Sequence, residues 1–163
     1  MMDYHCQLID ADATAEFAGT LLRAWRALNL APLSLHLSGP LGAGKSTFAR
    51  ALLRSLGVQG AIKSPSYALI EPYRIGDMQL LHADLYRLKD PLELVNLGLH
   101  ELLADAQLAL IEWPQQGGAL LPAPDCVIAL DYSLAGDSRE LGMRAKSRLG
   151  LSLQQAIQSD RES

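Results

Sequence analysis

The sequence predicts an α/β fold, in which strands and helices alternate along the chain. Residues 33–37 alternate apolar and polar side chains as a short strand does, and residues 48–56 place their apolar side chains on one helical face. A second, mostly apolar strand is predicted at 107–111. The length of 163 residues favours one domain, 1–163, in which 149–163 form a peripheral helix and tail.

The chain before residue 60 contains two predicted helices. Residues 4–9 are interpreted as either an edge strand or a coil. Residues 12–28 space their large apolar side chains as an amphipathic helix does, with Asp12 as its N-cap. The second helix follows the strand at 33–37 and ends near Gly57, because glycine is the usual residue just beyond a helix C-terminus.

A loop and a hairpin are predicted next. Residues 60–67 form an exposed loop, since their Ser-Pro step disfavours helix and no periodicity covers them. Strands follow at 68–70 and 78–83. The connection 72–77 contains Gly76 and is therefore compatible with a hairpin.

The following segment carries a strong helix start. Asp90 suits the N-cap, Pro91 the first helical position and Glu93 the third. This short helix is predicted to break near Gly98 and then to resume. The strand at 107–111 comes next.

The last part of the chain predicts two strands and a helix. The strands lie at 125–130 and 139–145 and are separated by a turn region at 136–138. A terminal helix is predicted at 149–157, and residues 158–163 are expected to fray.

Between the first strand and its helix lies a motif that binds phosphate. It runs from Gly39 to Ser46 with the full spacing Gly-x-x-x-x-Gly-Lys-Ser of a P-loop. Its glycines let successive backbone N–H groups point into one concavity, and the following helix adds the positive end of its dipole. Lys45 supplies a charge for the β- and γ-phosphates and Ser46 a hydroxyl for Mg²⁺, so the expected ligand is a nucleoside triphosphate with magnesium. The predicted binding set is Gly39, Leu41, Gly42, Ala43, Gly44, Lys45, Ser46 and Thr47.

Two acids at strand ends are candidates for the chemistry. Asp84 follows the strand at 78–83, where a carboxylate faces either a bound ligand or a cap or ion-pair partner. Glu112 ends the strand at 107–111 as the acid of a Walker B element does, although aspartate is commoner there. Glu112 is expected to hold Mg²⁺, directly or through water, or to orient the attacking water. Trp113, the next residue, is interpreted as a packing residue.

The loop at 60–67 has two interpretations. In P-loop proteins a hydroxyl-bearing loop after the first helix can close over the γ-phosphate, and Ser64, Ser66 and Tyr67 are the candidates here. The residues alone favour an ordinary surface turn.

Composition excludes several classes of function. The 14 Lys and Arg against 18 Asp and Glu give a net charge of −4 without a basic run, which disfavours direct binding of nucleic acid. The sequence contains no apolar run long enough for a membrane span, and residues 1–6 lack the pattern of a secretory signal. Cys6 and Cys126 are isolated, which indicates buried thiols in a reducing cytoplasm, and the histidines are scattered without metal-ligand spacing.

Several motifs occur together in a family-specific order. They are Gly-Pro-Leu-Gly-Ala-Gly-Lys-Ser-Thr-Phe (39–48), Lys-Ser-Pro-Ser-Tyr (63–67), His-Ala-Asp-Leu-Tyr-Arg-Leu (82–88), Asp-Pro-Leu-Glu-Leu (90–94) with Leu97-Gly98, and Ile-Glu-Trp-Pro (111–114). This set closely resembles the bacterial TsaE (YjeE) family of small P-loop ATPases, over roughly residues 10–132. The resemblance implies a P-loop NTPase-like three-layer sandwich, with a central parallel sheet and antiparallel flanking strands.

The resemblance also implies a function. Members of the family are cytoplasmic ATPases with slow intrinsic turnover that act with the TsaB and TsaD proteins in threonylcarbamoylation of adenosine 37 in ANN-decoding tRNAs. They contact tRNA only through the complex and do not transfer the threonylcarbamoyl group themselves. We also keep two alternative functions: a nucleotide-dependent assembly switch with negligible turnover, and a small-molecule kinase.

The resemblance assigns roles to individual residues. Lys45 would meet the β- and γ-phosphates, Ser46 and Glu112 would serve Mg²⁺, and Asp84 would lie near the γ-phosphate as a base or water-orienting group. The loop with Ser64, Ser66 and Tyr67 would sense the nucleotide. This chain has Pro40 where the family more often has Asp, and serine at positions 46 and 66 where it often has Thr. Serine keeps the hydroxyl, and Pro40 removes one N–H outside the inner phosphate nest.

Overall fold

A seven-stranded mixed sheet lies at the centre of the computed structural model, which describes residues 3–163. Its strands are β1 (Tyr4–Leu8), β2 (Leu33–Ser38), β3 (Ile70–Ile75), β4 (Met78–Asp84), β5 (Leu108–Glu112), β6 (Cys126–Tyr132) and β7 (Arg139–Ala145), in the spatial order β1-β7-β6-β2-β5-β4-β3. Strands β6, β2, β5 and β4 are parallel, whereas β7 and β1 on one side and β3 on the other are antiparallel. The predicted parallel centre with antiparallel flanks is confirmed. The absence of a secretory signal was predicted from residues 1–6, of which Met1 and Met2 lie outside the described residues.

Helices cover the two faces of the sheet unequally. They are α1 (Ala11–Ala27), α2 (Lys45–Leu56), α3 (Leu92–Asn96), α4 (Leu99–Asp105) and α5 (Arg148–Glu162), with a 3-10 segment at Pro114–Leu120. The long helices α1, α2 and α5 enclose the larger core, and the short helices α3 and α4 contribute to a smaller one on the other face. This gives the three layers that the sequence predicts. Among residues 3–163, none of the helices has both the length and the apolar content that a membrane span needs.

Strand alternation decides which side of the sheet carries the site. On β4 the side chain of Leu80 joins the larger core and that of Leu81 the smaller one, so His82 and Asp84 point to the side of the larger core. On β5 the same alternation turns Glu112 to that side, since Leu110 belongs to the larger core. Because Asp84 lies opposite Glu112 in the parallel pairing of β4 with β5, the two acids are neighbours at the ends of their strands.

The helix α1 begins earlier than predicted. Its N-cap is Asp10, whose carboxylate accepts a hydrogen bond of 2.8 Å from the Ala13 N–H, and Asp12 lies within the first turn. The prediction of Asp12 as N-cap was therefore wrong. Both residues are aspartates before the same apolar pattern, and the cap belongs to the one with extended backbone angles.

The hairpin of β3 and β4 is longer than predicted. Strand β3 runs from Ile70 through Pro72 to Ile75, which the sequence assigned mostly to a connection. Proline is tolerated here because β3 is an edge strand, where a missing N–H need not break a ladder. Only Gly76 and Asp77 form the turn.

The end of the chain is helical rather than frayed. Helix α5 continues to Glu162, and two contacts hold its last turns. Arg161 donates a hydrogen bond to the hydroxyl of Tyr4, and Asp160 forms a 3.1 Å ion pair with Arg23 of α1. These partners come from the other end of the sequence, so the local pattern did not reveal them.

Other predicted boundaries are confirmed. Helix α2 ends at Gly57 in the left-handed conformation, and residues 60–67 form no helix or strand. Gly98 separates α3 from α4 with φ of 73°. The start of α3 differs by one residue from the prediction: the helix begins at Leu92 with Pro91 as its N-cap, so the prediction of Asp90 as N-cap was wrong, although the Asp90 carboxylate accepts a 3.0 Å hydrogen bond from the Leu92 N–H.

A buried histidine on β2 makes stability depend on pH. Within residues 3–163 the Nε2 of His36 has no hydrogen-bond partner, and burial lowers the pKa of the ring to about 4. Because the folded-state pKa lies below the unfolded value, the unfolded chain takes up the proton first, and stability falls as pH drops from about 6.5 to about 4. The expected loss is about 3 kcal/mol.

Replacing His36 by leucine is therefore expected to remove most of this loss. Urea unfolding at pH 7 and at pH 4.5 measures the difference in the free energy of unfolding between the two pH values. The matched control is His100→Gln, which removes a histidine from the exposed side of α4. An equal fall in the free energy of unfolding in His36→Leu and wild type would contradict the assignment.

Candidate functional site

The turn between β2 and α2 is shaped by its glycines. Gly39 has φ of 137°, and a Cβ there would overlap the carbonyl oxygen of Leu130. A Cβ on Gly42 would lie 2.5 Å from the hydroxyl oxygen of Tyr132. Gly44 is the N-cap of α2 and supplies no side-chain cap, so the first N–H groups of the helix are free to bind an anion.

Two residues outside the motif donate hydrogen bonds to backbone carbonyls of this turn. The hydroxyl of Tyr132 donates a 2.8 Å hydrogen bond to the carbonyl of Leu41. Arg139 lies 4.4 Å from the centre of the Tyr132 ring and donates to the carbonyl of Gly42 at 3.4 Å. The antiparallel pair β6 and β7 therefore helps to fix the turn between β2 and α2.

Lys45 is a buried cation at the start of α2. Its Nζ donates to the carbonyls of Gly39 at 2.6 Å and Pro40 at 2.8 Å, and it lies 4.4 Å from the ring centre of Trp113. Burial lowers the pKa of the amine, and the charges of Glu112 and Asp84 oppose that shift. Among the described residues Lys45 forms no ion pair, so its charge remains available to an anion.

The oxygen atoms beside Lys45 form a set that suits magnesium. The Ser46 hydroxyl lies 2.9 Å from Oε1 and 3.1 Å from Oε2 of Glu112, which is 2% exposed. Asp84, also buried, stands on the neighbouring strand at the same level. Carboxylate and hydroxyl oxygens are the ligands that Mg²⁺ uses in proteins, so these residues fit the ion.

The loop at 60–67 reaches the site. The Ser64 hydroxyl donates to Oδ2 of Asp84 at 3.2 Å and lies 3.1 Å from the hydroxyl of Ser66. The ring of Tyr67 is 85% exposed and lies 4.5 Å from the guanidinium of Arg87. The loop therefore contacts a buried acid of the sheet through Ser64.

These groups line one cavity of about 350 Å³. The predicted residues on its wall are Leu41, Gly42, Gly44, Lys45, Ser46, Thr47, Ser64, Ser66, Asp84 and Glu112. Gly39 lies behind the turn, Ala43 is buried in the larger core, and Tyr67 lies outside the cavity wall. A second cavity of about 260 Å³ adjoins the first along Gly42, Gly44 and Thr47.

Sequence reasoning missed four residues of the site, one of which is Tyr86 on the cavity wall. His82 is fully buried and lies 2.7 Å from Glu112, measured from Nε2 to Oε2. Trp113 and Arg87 line the cavity, and Trp113 has φ of 55°, a left-handed value that is rare for a bulky residue. The sequence contained a signal for two of these residues. His82 lies two positions before Asp84 and therefore on the same strand face, and Trp113 directly follows the acid that ends its strand.

Comparison with a protein-family model identifies the same group as the motifs. Residues 8–141 match the model described as Threonylcarbamoyl adenosine biosynthesis protein TsaE. The crystal structure of YdiB from Bacillus subtilis superposes with a TM-score of 0.78, covering 99% of this chain and 97% of that one at 24% identity. That likeness supports the fold.

Proteins with similar sequences carry the same family name. A Haemophilus influenzae protein named tRNA threonylcarbamoyladenosine biosynthesis protein TsaE is 40% identical over 118 residues, which are 72% of this chain and 73% of that protein. A Bacillus subtilis protein of the same name is 34% identical over 111 residues, 68% of each chain. With the family model matching most of its length, this chain belongs to the TsaE family.

Proposed function

We propose that this chain is a magnesium-dependent ATPase that supports threonylcarbamoylation of adenosine 37 in ANN-decoding tRNAs, in the cytoplasm and in complex with TsaB and TsaD. Membership of the TsaE family supports the role in this modification. The observation that carries the ATPase assignment is the convergence of Lys45, Ser46, Asp84 and Glu112 on one cavity at the N-terminus of α2.

Each residue has a role in this proposal. The free N–H groups of the turn and of α2 bind phosphate oxygens, and Lys45 leaves the carbonyls of its own loop to meet the β- and γ-phosphates. Ser46 and Glu112 would hold Mg²⁺, and the bound ion would neutralise charge on the phosphates. Asp84 orients a water or accepts its proton, and Ser64 responds to the occupied site through its bond to Asp84.

The adjoining cavity is suited to the nucleoside. It opens between β1 and the start of α1 on one side and β7 on the other, with Asp10, Thr14 and Arg139 on its wall. Because it meets the first cavity at Gly42 and Gly44, a nucleotide can place its phosphates in one cavity and its base and sugar in the other.

Slow turnover without a partner follows from the charges at the site. Arg87 is the only arginine that lines the first cavity within residues 3–163, and its guanidinium lies over the Tyr67 ring. We therefore expect slow ATP hydrolysis by the protein alone and faster hydrolysis with TsaB and TsaD. Phosphate release measured with and without the partners tests this, and equal rates would contradict it.

Reconstituted tRNA modification tests the function as a whole. TsaB and TsaD are given tRNA, ATP and the threonylcarbamoyl donor, with or without this protein, and modified adenosine is counted per TsaD. We expect several rounds of modification only when the protein is present. With its net charge of −4 and no basic run, the protein alone should bind tRNA weakly.

One observation favours a second candidate, an assembly switch driven by nucleotide binding. Within residues 3–163 the loop at 60–67 contacts the site through the hydrogen bond of Ser64 to Asp84 and the contact of Tyr67 with Arg87, so binding alone can rearrange it without hydrolysis. Glu112→Gln distinguishes the two functions. If repeated tRNA modification persists while hydrolysis is abolished, the switch is correct and the ATPase cycle is not required.

A further inference from the structure

His82 is buried beside the proposed magnesium ligand and has no role in the scheme above. It lies on β4, two residues before Asp84, and its side chain is 0% exposed. Its Nε2 is 2.7 Å from Oε2 of Glu112, which is 2% exposed. A polar ring is costly to bury unless it is hydrogen-bonded, so this contact is the reason that the core tolerates it.

The hydrogen-bond partners of the ring determine where its proton lies. A carboxylate only accepts, so the ring nitrogen that faces Glu112 must donate. The other nitrogen, Nδ1, has no hydrogen-bond partner among the described residues. A proton on Nδ1 would be a buried donor without an acceptor, so the ring carries its proton on Nε2.

The N–H of His82 is the closer of two donors to one oxygen of Glu112. Oε2 receives the His82 N–H, and Oε1 has its shorter contact, 2.9 Å, with Ser46. Without the histidine, the one hydrogen bond to Oε2 among residues 3–163 would be the 3.1 Å contact from Ser46, and the carboxylate could turn about its last torsion. The angle at which Oε1 faces the cavity therefore depends on a residue 30 positions earlier in the chain.

We propose that His82 is a positioning residue that holds the Glu112 carboxylate in the orientation needed to receive Mg²⁺ beside Ser46. The proposal rests on the proposed function, since it assumes that nucleotide binds with magnesium here. Groups that orient metal ligands typically change metal affinity 10- to 100-fold when they are removed.

Variants of His82 separate the effect of its hydrogen bond to Glu112 from the effect of its volume. His82→Gln places an amide N–H close to the position of Nε2, whereas His82→Asn reaches only the position of Nδ1; His82→Leu removes the donor. Binding of a fluorescent ATP analogue is titrated with Mg²⁺ for each variant, and again in EDTA. Thermal unfolding records whether each variant folds.

We expect His82→Asn and His82→Leu to raise the midpoint for Mg²⁺ about 10-fold or more, with unchanged affinity for the analogue in EDTA. His82→Gln should keep a midpoint close to that of wild type. If Gln and Asn shift the midpoint equally, or if affinity in EDTA falls as much as affinity with Mg²⁺, positioning is refuted. If wild type itself shows no binding that depends on Mg²⁺, the proposed function is wrong and the inference fails with it.

A measurement on the wild-type protein covers the case in which the variants do not fold. Nitrogen-15 spectra of the histidine rings, assigned by replacing the other three histidines one at a time, report the position of the proton. We expect the Nε2–H form for His82. The Nδ1–H form would overturn the proposal, because such a ring cannot donate to Glu112.

Discussion

Replacing Lys45 by alanine is expected to weaken ATP binding about 100-fold. The amine is buried at the floor of the cavity, and in the structure its only hydrogen-bond acceptors within residues 3–163 are carbonyls of its own loop. Bound phosphate would replace those carbonyls with charged oxygens. A charge-assisted hydrogen bond contributes about 1.5–3 kcal/mol, and about 1.4 kcal/mol is tenfold in affinity. Titration with a fluorescent ATP analogue measures the loss.

The matched control is Lys146→Ala, which removes the same charge from an exposed position after β7. We expect it to bind like wild type. The fold of Lys45→Ala should be intact, since the side chain makes no ion pair in the described part of the chain and burial already disfavours its charged form. Binding by Lys45→Ala within a few-fold of the control would show that the cavity is not the phosphate site.

The conformation of the turn between β2 and α2 could be predicted because its signal is local. The glycines at 39 and 42 are needed where the turn approaches Leu130 and Tyr132, and a short strand and an amphipathic helix flank the motif in sequence. The helix end at Gly57 is local in the same sense, since it depends on residues within a few positions.

The adjacency of the acids was only partly predictable. Strand endings placed Asp84 and Glu112 at one edge of the sheet, but their contact depends on the parallel pairing of β4 with β5. The local sequence pattern does not determine which strands become neighbours in the sheet. The same is true of His82, which the sequence presents as one of several scattered histidines and the sheet brings to Glu112.

Long-range contacts also explain the errors. The last turns of α5 are weakly apolar, so the sequence suggests fraying, yet Arg161 reaches Tyr4, 157 residues away. Trp113 was interpreted as packing because a bulky aromatic residue is usually buried. The ring does pack against the smaller core, as interpreted, but it also lies 4.4 Å from Nζ of Lys45, a contact between distant parts of the chain that the local pattern did not reveal.

Glu112→Gln is expected to abolish ATP hydrolysis that depends on magnesium, with a fall of about 100-fold or more. The substitution keeps the volume of the side chain but removes the charge that would hold the ion beside Ser46. It also presents an amide in place of the carboxylate that accepts from both Ser46 and His82, so at least one of these bonds is weakened. Losing one group that stabilises charge in a transition state typically costs 100- to 1,000-fold in rate.

Binding in EDTA separates this effect from damage to the fold. Without the metal, phosphate contacts come from the turn and Lys45, so Glu112→Gln should bind the ATP analogue as tightly as wild type, or more tightly because a negative charge has been removed. Glu101→Gln on the exposed side of α4 is the control for the loss of one carboxylate. Hydrolysis by Glu112→Gln at the rate of that control would mean that Glu112 only ends β5, and the catalytic role would then pass to Asp84 alone.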